Sequence, residues 1–236
     1  MDPATDWVVN GGKGALDFDG SNDQVITENR SNLGSQFTIS SWVRKTTLQS
    51  QVAIAAKYQT TTNQRSWLFC TSNTTWTANG TPTGAGLGFV YSGDGLAADN
   101  AGSLGAKWTD AVSISDGAWH HACVVFNRGV IFFTVDGIRY DGLSQFSGVA
   151  AEPFNSSARW TIGAFNPDTS GTGFLLGQLD DIRIFRTTLT AADARQLWQL
   201  GRGNMPMIRK RRYTEEAAGF RAYWARRQSQ LIGGGV

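Results

Sequence analysis

Residues 176–200 read LGQLDDIRIFRTTLTAADARQLWQL, and this stretch decides how the rest of the chain is read. Residues 177–185 predict a strand, followed by a tight connection and a short helix. Thr190 is placed to cap that helix, with Asp193 at the third helical position able to bond back to it. Leu189 and Ala194 form the staple pair, and Gly201 is expected to end the helix. The residues before this stretch read as one β-rich domain that the strand completes. The residues after Gly201 have a different composition.

Working outward, the 236 residues are 41% hydrophobic and 17% charged, which is ordinary for a chain with a core. Nine Trp, thirteen Phe and 28 Gly favour strands and turns over a helix bundle. No apolar run approaches the ~20 residues needed to cross a bilayer, so no membrane span is expected. The opening MDPATDWVVNGGKG lacks a basic region followed by an apolar one, so no secretory leader is expected and the start reads as unprocessed. On that ground the sequons at Asn29, Asn73, Asn79 and Asn155 are discounted as glycosylation sites. Cys70 and Cys123 sit in apolar runs and are expected as buried free thiols. Charge is uneven: residues 1–200 carry a net −4 and residues 201–236 a net +6, a boundary signal.

Residues 1–14 are expected as an arm. Leu16 and Phe18 alternate before an Asp19–Asp23 turn, and residues 37–44, FTISSWVR, place Phe37, Ile39, Ser41 and Val43 on one face of a strand. Further strands are expected over 24–27, 52–58, 66–70 and 160–164, and the ordered runs 116–126 and 130–137 are expected as a hairpin turning at residues 127–129. Residues 71–111 are rich in Thr, Asn, Gly and Ala, with one strand at 87–91. They read as a long surface connection of the kind that carries function. Trp76, Tyr91 and Trp108 stand out there as aromatics in a polar setting.

In order, ALDFDGSND at 15–23, FTISSWVR at 37–44, DGAWHHACVVF at 116–126, FTVDG at 133–137, WTIGA at 160–164 and GQLDDIRIFRTTLTAAD at 177–193 resemble the LamG-like jelly-roll family, within the concanavalin A-like lectin/glucanase superfamily. The resemblance covers about residues 8–200. It implies an all-β fold: a two-sheet antiparallel jelly-roll sandwich over 15–201, with a short helix near 190–200. It implies no single activity, because the fold serves lectins, hydrolases, adhesion domains and viral proteins. Its hydrolases carry two Glu in a Glu-x-Asp-x-x-Glu pattern. Here the four Glu (28, 152, 215 and 216) do not form it. Asp180 and Asp181 are adjacent, so on a regular strand they face opposite ways and cannot flank one bond. No enzyme activity is expected. His120 and His121, the two histidines, cannot chelate one metal together and are read as packing. If Ile182 and Ile184 face the core, Asp180 does too and needs a partner. Either backbone donors satisfy it, or the Ca²⁺ that such domains hold at the sandwich edge does, with Asp19, Asn22, Asp23, Asp180 and Asp181 as candidate ligands.

Trp76, Tyr91 and Trp108 are the candidate glycan-stacking residues, weighed against simple packing of the loop. Residues 202–236 read as a basic and aromatic extension. The run 209–212 includes Arg209, Arg211 and Arg212. Thr214 then caps a short helix on which Phe220, Tyr223, Trp224, Arg227 and Leu231 share a stripe. The stripe needs a cover, and partner subunits of an assembly are the expected one. The basic run is too short, and lacks a binding fold, for nucleic acid to be expected. The expectation is therefore a structural or decoration protein of a larger assembly, a phage or virus particle, displaying a lectin-like jelly roll. The alternative is a carbohydrate-binding module at a bacterial surface.

Overall fold

The computed structural model describes residues 6–10, 13–72, 85–96, 104–109, 112–147, 150–167 and 171–202. Trp76 and the extension from residue 203 lie outside the described residues, so the expectations attached to them are not placed. Along the chain come β1 (Trp7–Asn10), β2 (Lys13–Asp19), β3 (Val25–Ile26), β4 (Gln36–Arg44), β5 (Ala53–Gln59), β6 (Gln64–Thr71) and β7 (Leu87–Ser92). They are followed by β8 (Leu104–Trp108), β9 (Trp119–Asn127), β10 (Val130–Val135), β11 (Ile138–Tyr140), β12 (Leu143–Ser147), β13 (Thr161–Ile162), β14 (Leu176–Phe185) and one helix, α1 (Ala191–Arg202).

The strands form two antiparallel sheets, ordered β1-β2-β14-β4-β9-β10-β11 and β12-β8-β7-β6-β5-β13-β3. This is the expected jelly-roll sandwich. Between the sheets lie Phe37, Ile39 and Val43 of β4, Val124 and Phe126 of β9, and Trp67, Phe69 and Phe89 of the second sheet. Phe37 stacks on Phe126 with ring centroids 4.9 Å apart, worth about 0.5–1.5 kcal/mol beyond burial alone. The β9–β10 hairpin turns through Arg128 and Gly129, both at positive φ (50° and 83°), where glycine relieves the strain.

Both outer faces carry apolar residues as well. On the first sheet α1 lies over Cys123, Val125 and Phe132 through Ala194. On the second, Leu68, Cys70, Val90, Ala106 and Trp108 are buried on the face away from the core. The two thiols are free and buried, as read from the sequence, and they lie on different sheets. Burial pushes the Cys123 thiol up to about 12, and Cys70 is shifted the same way.

Four expectations change. Residues 7–10 are an edge strand, not an arm, because they pair antiparallel with residues 13–16. Leu104–Trp108 is a strand that pairs with β7 and β12; its Gly and Ala hid the alternation. Helix α1 runs through Gly201 to Arg202. Gly201 is there for close approach, since a Cβ would collide with the Trp42 indole. Last, β14 is bulged: Asp180 pairs with Trp42 but Arg183 with Ser40, so one extra residue sits opposite β4. Asp181 takes φ +50°, a conformation Asp tolerates.

Candidate functional site

The bulge decides where the acidic residues of β14 point. Leu179 is inside opposite Val43, and Ile182 and Ile184 also pack against the core. Asp180 is therefore on the outer face with Trp42, and the expectation that it shares the core face with Ile182 is overturned. Asp181 forms a two-pronged pair with Arg183, at 2.7 Å on each oxygen. At the far end of β2, Asp19 accepts from the backbone N–H groups of Ser21 and Asn22, and Asp23 accepts from Asp19 N. These bonds hold the Asp19 carboxyl below the usual range. Asp19 is opposite Leu176, four residues along β14 from Asp180, roughly 13 Å away by strand rise. The five residues considered for Ca²⁺ thus fall into two separate places, the Asp19–Asp23 turn and the bulge of β14. Among the described residues no three His, Cys, Asp or Glu gather into a metal-holding group.

Tyr91 and Trp108 are likewise not loop residues. Tyr91 packs inside, edge-on to Phe126 with ring centroids 4.9 Å apart, and Trp108 is buried on the outer face of the second sheet. Their exposures of 1% and 0% leave no ring face for a ligand to stack on. The two histidines face opposite ways, as expected. His120 Nδ1 is 2.7 Å from Asp136 and its Nε2 is 2.9 Å from Asp116. The Asp136 bond, helped by Asp116 and opposed by burial, lifts His120 to about 9. His121 sits under α1, edge-on to Trp42, and burial drops it to about 4.

At the opposite end, three loops meet in an arrangement that core packing does not require. Residues 27–35 leave β3 and turn back into β4. The turn is set by Asn29, whose side chain accepts from Ser31 N at 2.9 Å. Trp160, just ahead of β13, donates its indole N–H to Ser31 O at 3.0 Å and its backbone N–H to Asn29 O at 3.1 Å. Its ring stands edge-on to Trp67, 5.8 Å between centroids, so a half-buried indole bridges core and surface. Lys57, buried at the end of β5, reaches Arg30 O at 2.8 Å. Arg186, just after β14, donates to Ser31 Oγ at 2.8 Å, and the Arg30 guanidinium donates to Ser157 O. Arg159 bonds Pro167 O at 3.3 Å and pairs with the exposed Glu28 at 3.5 Å.

The result is a firm rim around Ser31 that is rich in donors and positive charge. Arg30 and Arg186 are exposed, and Trp160 and Arg159 half-exposed. None of these residues was singled out from the sequence. They lie at three distant places, 30, 159–160 and 186, and no local run joins these.

Against known proteins, residues 19–195 match the family model of the concanavalin A-like lectin/glucanases superfamily, and the chain belongs to that family. No curated protein matches the chain. Several solved structures share its fold. Domain 4 of an extracellular arabinanase from Geobacillus stearothermophilus, in complex with arabinotriose, superposes with a TM-score of 0.53 at 17% identity, over 82% of this chain and 80% of that one. The receptor-binding domain of botulinum neurotoxin type G gives 0.54 at 17%, over 84% of this chain but 45% of its own. A Ruminococcus gnavus sialidase CBM40 bound to α2,3-sialyllactose gives 0.52 at 13%, over 75% and 99%. At these identities the likeness is one of fold.

Proposed function

We propose that this chain is a non-catalytic glycan-binding jelly roll, that the rim around Ser31 is its ligand face, and that the domain is displayed on a larger assembly, a phage or virus particle. The observation that carries the reading is the rim itself. Side chains from two connections, Trp160 and Arg186, and one strand, Lys57, are fastened to residues 29–31 around a half-buried indole, a preorganised polar surface. Glycoside hydrolysis needs two carboxylates flanking one bond, and the described contacts bring the single carboxylate of Glu28 to the rim, on an exposed side chain. Two proteins of similar fold were solved with a carbohydrate bound, which fits the reading. Display on an assembly rests on the shift in composition at residue 201, from a net −4 before it to a net +6 and the aromatics Phe220, Tyr223 and Trp224 after it.

The test is a glycan array probed with the full chain and with Trp160→Phe. The variant keeps an aromatic ring against Trp67 and loses the N–H that holds Ser31. A defined set of glycans should be retained by the native chain, and weakened about tenfold in the variant at unchanged melting temperature. An array with no signal for the native chain would remove the reading.

A further inference from the structure

Resting on that reading, we infer that the glycan taken by the Ser31 rim carries a negatively charged group, a carboxylate or a sulfate ester, met by Arg30 and Arg186 with Arg159 beside them.

The geometry argues this from what the cations lack. Among the described residues, Arg30, Lys57 and Arg186 have no carboxylate partner; their acceptors are the Ser157 carbonyl, the Arg30 carbonyl and the Ser31 hydroxyl. Among the described contacts, the carboxylate at this place is that of Glu28, which lies 3.5 Å from Arg159 and is mostly in water. Three positive charges from three different elements thus meet at residues 30 and 31, with no carboxylate on them among the described contacts. Lys57 registers the crowding: burial first, and then the nearby Arg30, lower it to about 8.

The hydrogen-bonding balance points the same way. The carbonyls of Asn29, Arg30 and Ser31 already accept from Trp160, Lys57 and Trp160 respectively. A guanidinium has five N–H donors, and Arg30 and Arg186 each show one bond among the described residues. The rim offers donors and few acceptors. A neutral sugar hydroxyl donates as well as accepts and matches such a surface poorly. A carboxylate or sulfate accepts only, and the flat guanidinium fork fits it on two atoms. Trp160 beside the charges supplies the apolar surface that a sugar ring covers and lowers the local dielectric.

The experiment is an array at pH 7.4 carrying neutral, sialylated, uronate-terminated and sulfated glycans, probed with the full native chain, Arg30→Gln, Arg186→Gln and Arg186→Lys. Circular dichroism and melting temperature are checked for each chain. The expected result is retention of acidic glycans over their neutral parents, weakened about tenfold by either Gln variant and by raising NaCl from 50 to 500 mM, with partial recovery in Arg186→Lys. Whether sialylated and uronate members or sulfated members lead identifies the charged group. Equal binding of neutral and acidic glycans, unmoved by the Gln variants, would overturn the charge assignment and leave glycan binding standing. No glycan bound at all would overturn both. Retention of duplex DNA through the same arginines, with no sugar preference, would also overturn the inference.

Discussion

His120 is held between Asp136 and Asp116 and stays protonated at neutral pH, with its affinity for the proton lifted to about 9 from an ordinary 6.5. A group whose folded value is raised stabilises fully below the unfolded value. It loses that contribution as pH climbs through the folded one. Melting temperature should therefore fall between pH 6.5 and 9, by roughly 2–4 °C for each ~1 kcal/mol lost in a chain of this size. His120→Gln should flatten this slope, and an unchanged slope in the variant would show that the clamp is not its source. His121 works in the opposite sense: its value falls to about 4, so the folded state loses stability as pH drops below 6.5. Adjacent in sequence, the two rings differ because strand alternation sends one to a carboxylate pair and the other beneath a helix. From the sequence their opposite facing was legible. The partners of His120, sixteen residues downstream and four upstream, were not.

At the scale of the element, α1 and β14 are the informative pair. The capping box was legible: Asp193 accepts from Thr190 N at 2.9 Å, and Thr190 Oγ1 accepts from Asp193 N at 3.2 Å. The helix end was misplaced, because a glycine after a periodic run signals a stop unless a bulky neighbour needs its bare backbone. Trp42 is that neighbour, and nothing local to residue 201 announces it. Gly201→Ala should destabilise the fold by about 1–3 kcal/mol in chemical denaturation, as overpacking against Trp42 moves the last helical turn. A neutral result would mean that the helix end yields freely. In the second sheet, Gly105 seats the Tyr91 ring, and a Cβ there would run into Tyr91 Cε1, closer still than the collision at Gly201. Gly105→Ala should therefore cost more than Gly201→Ala, about 3 kcal/mol or more by the same measurement. An equal or smaller loss would place slack in the core around Tyr91.

For the whole molecule, one end of the sandwich presents Arg30, Arg159 and Arg186, while the His120 clamp with Asp116 and Asp136 lies at the other. A charged ligand would be steered to the cationic end, and steering weakens with salt. Display on an assembly belongs to this scale too. The intact chain is expected to sediment as an oligomer at high concentration, and a chain ending at Arg202 as a monomer near its own mass. Two monomeric species would count against attachment through residues 203–236.

The amino-acid order alone determined the fold class, most strand positions, the helix cap and the free thiols. The fold class rests on a family resemblance carried by six motifs in order, and the rest on spacing within about ten residues, where period and turn chemistry act. Only the tertiary structure decided which face Asp180 occupies, where Tyr91 and Trp108 lie, and that Trp160, Lys57 and Arg186 all bond to residues 29–31. A bulge inverts side-chain facing through one unpaired residue whose register is set by the neighbouring strand. A site assembled from three loops has no signature along the chain, because its members become neighbours only when two sheets close over a common core.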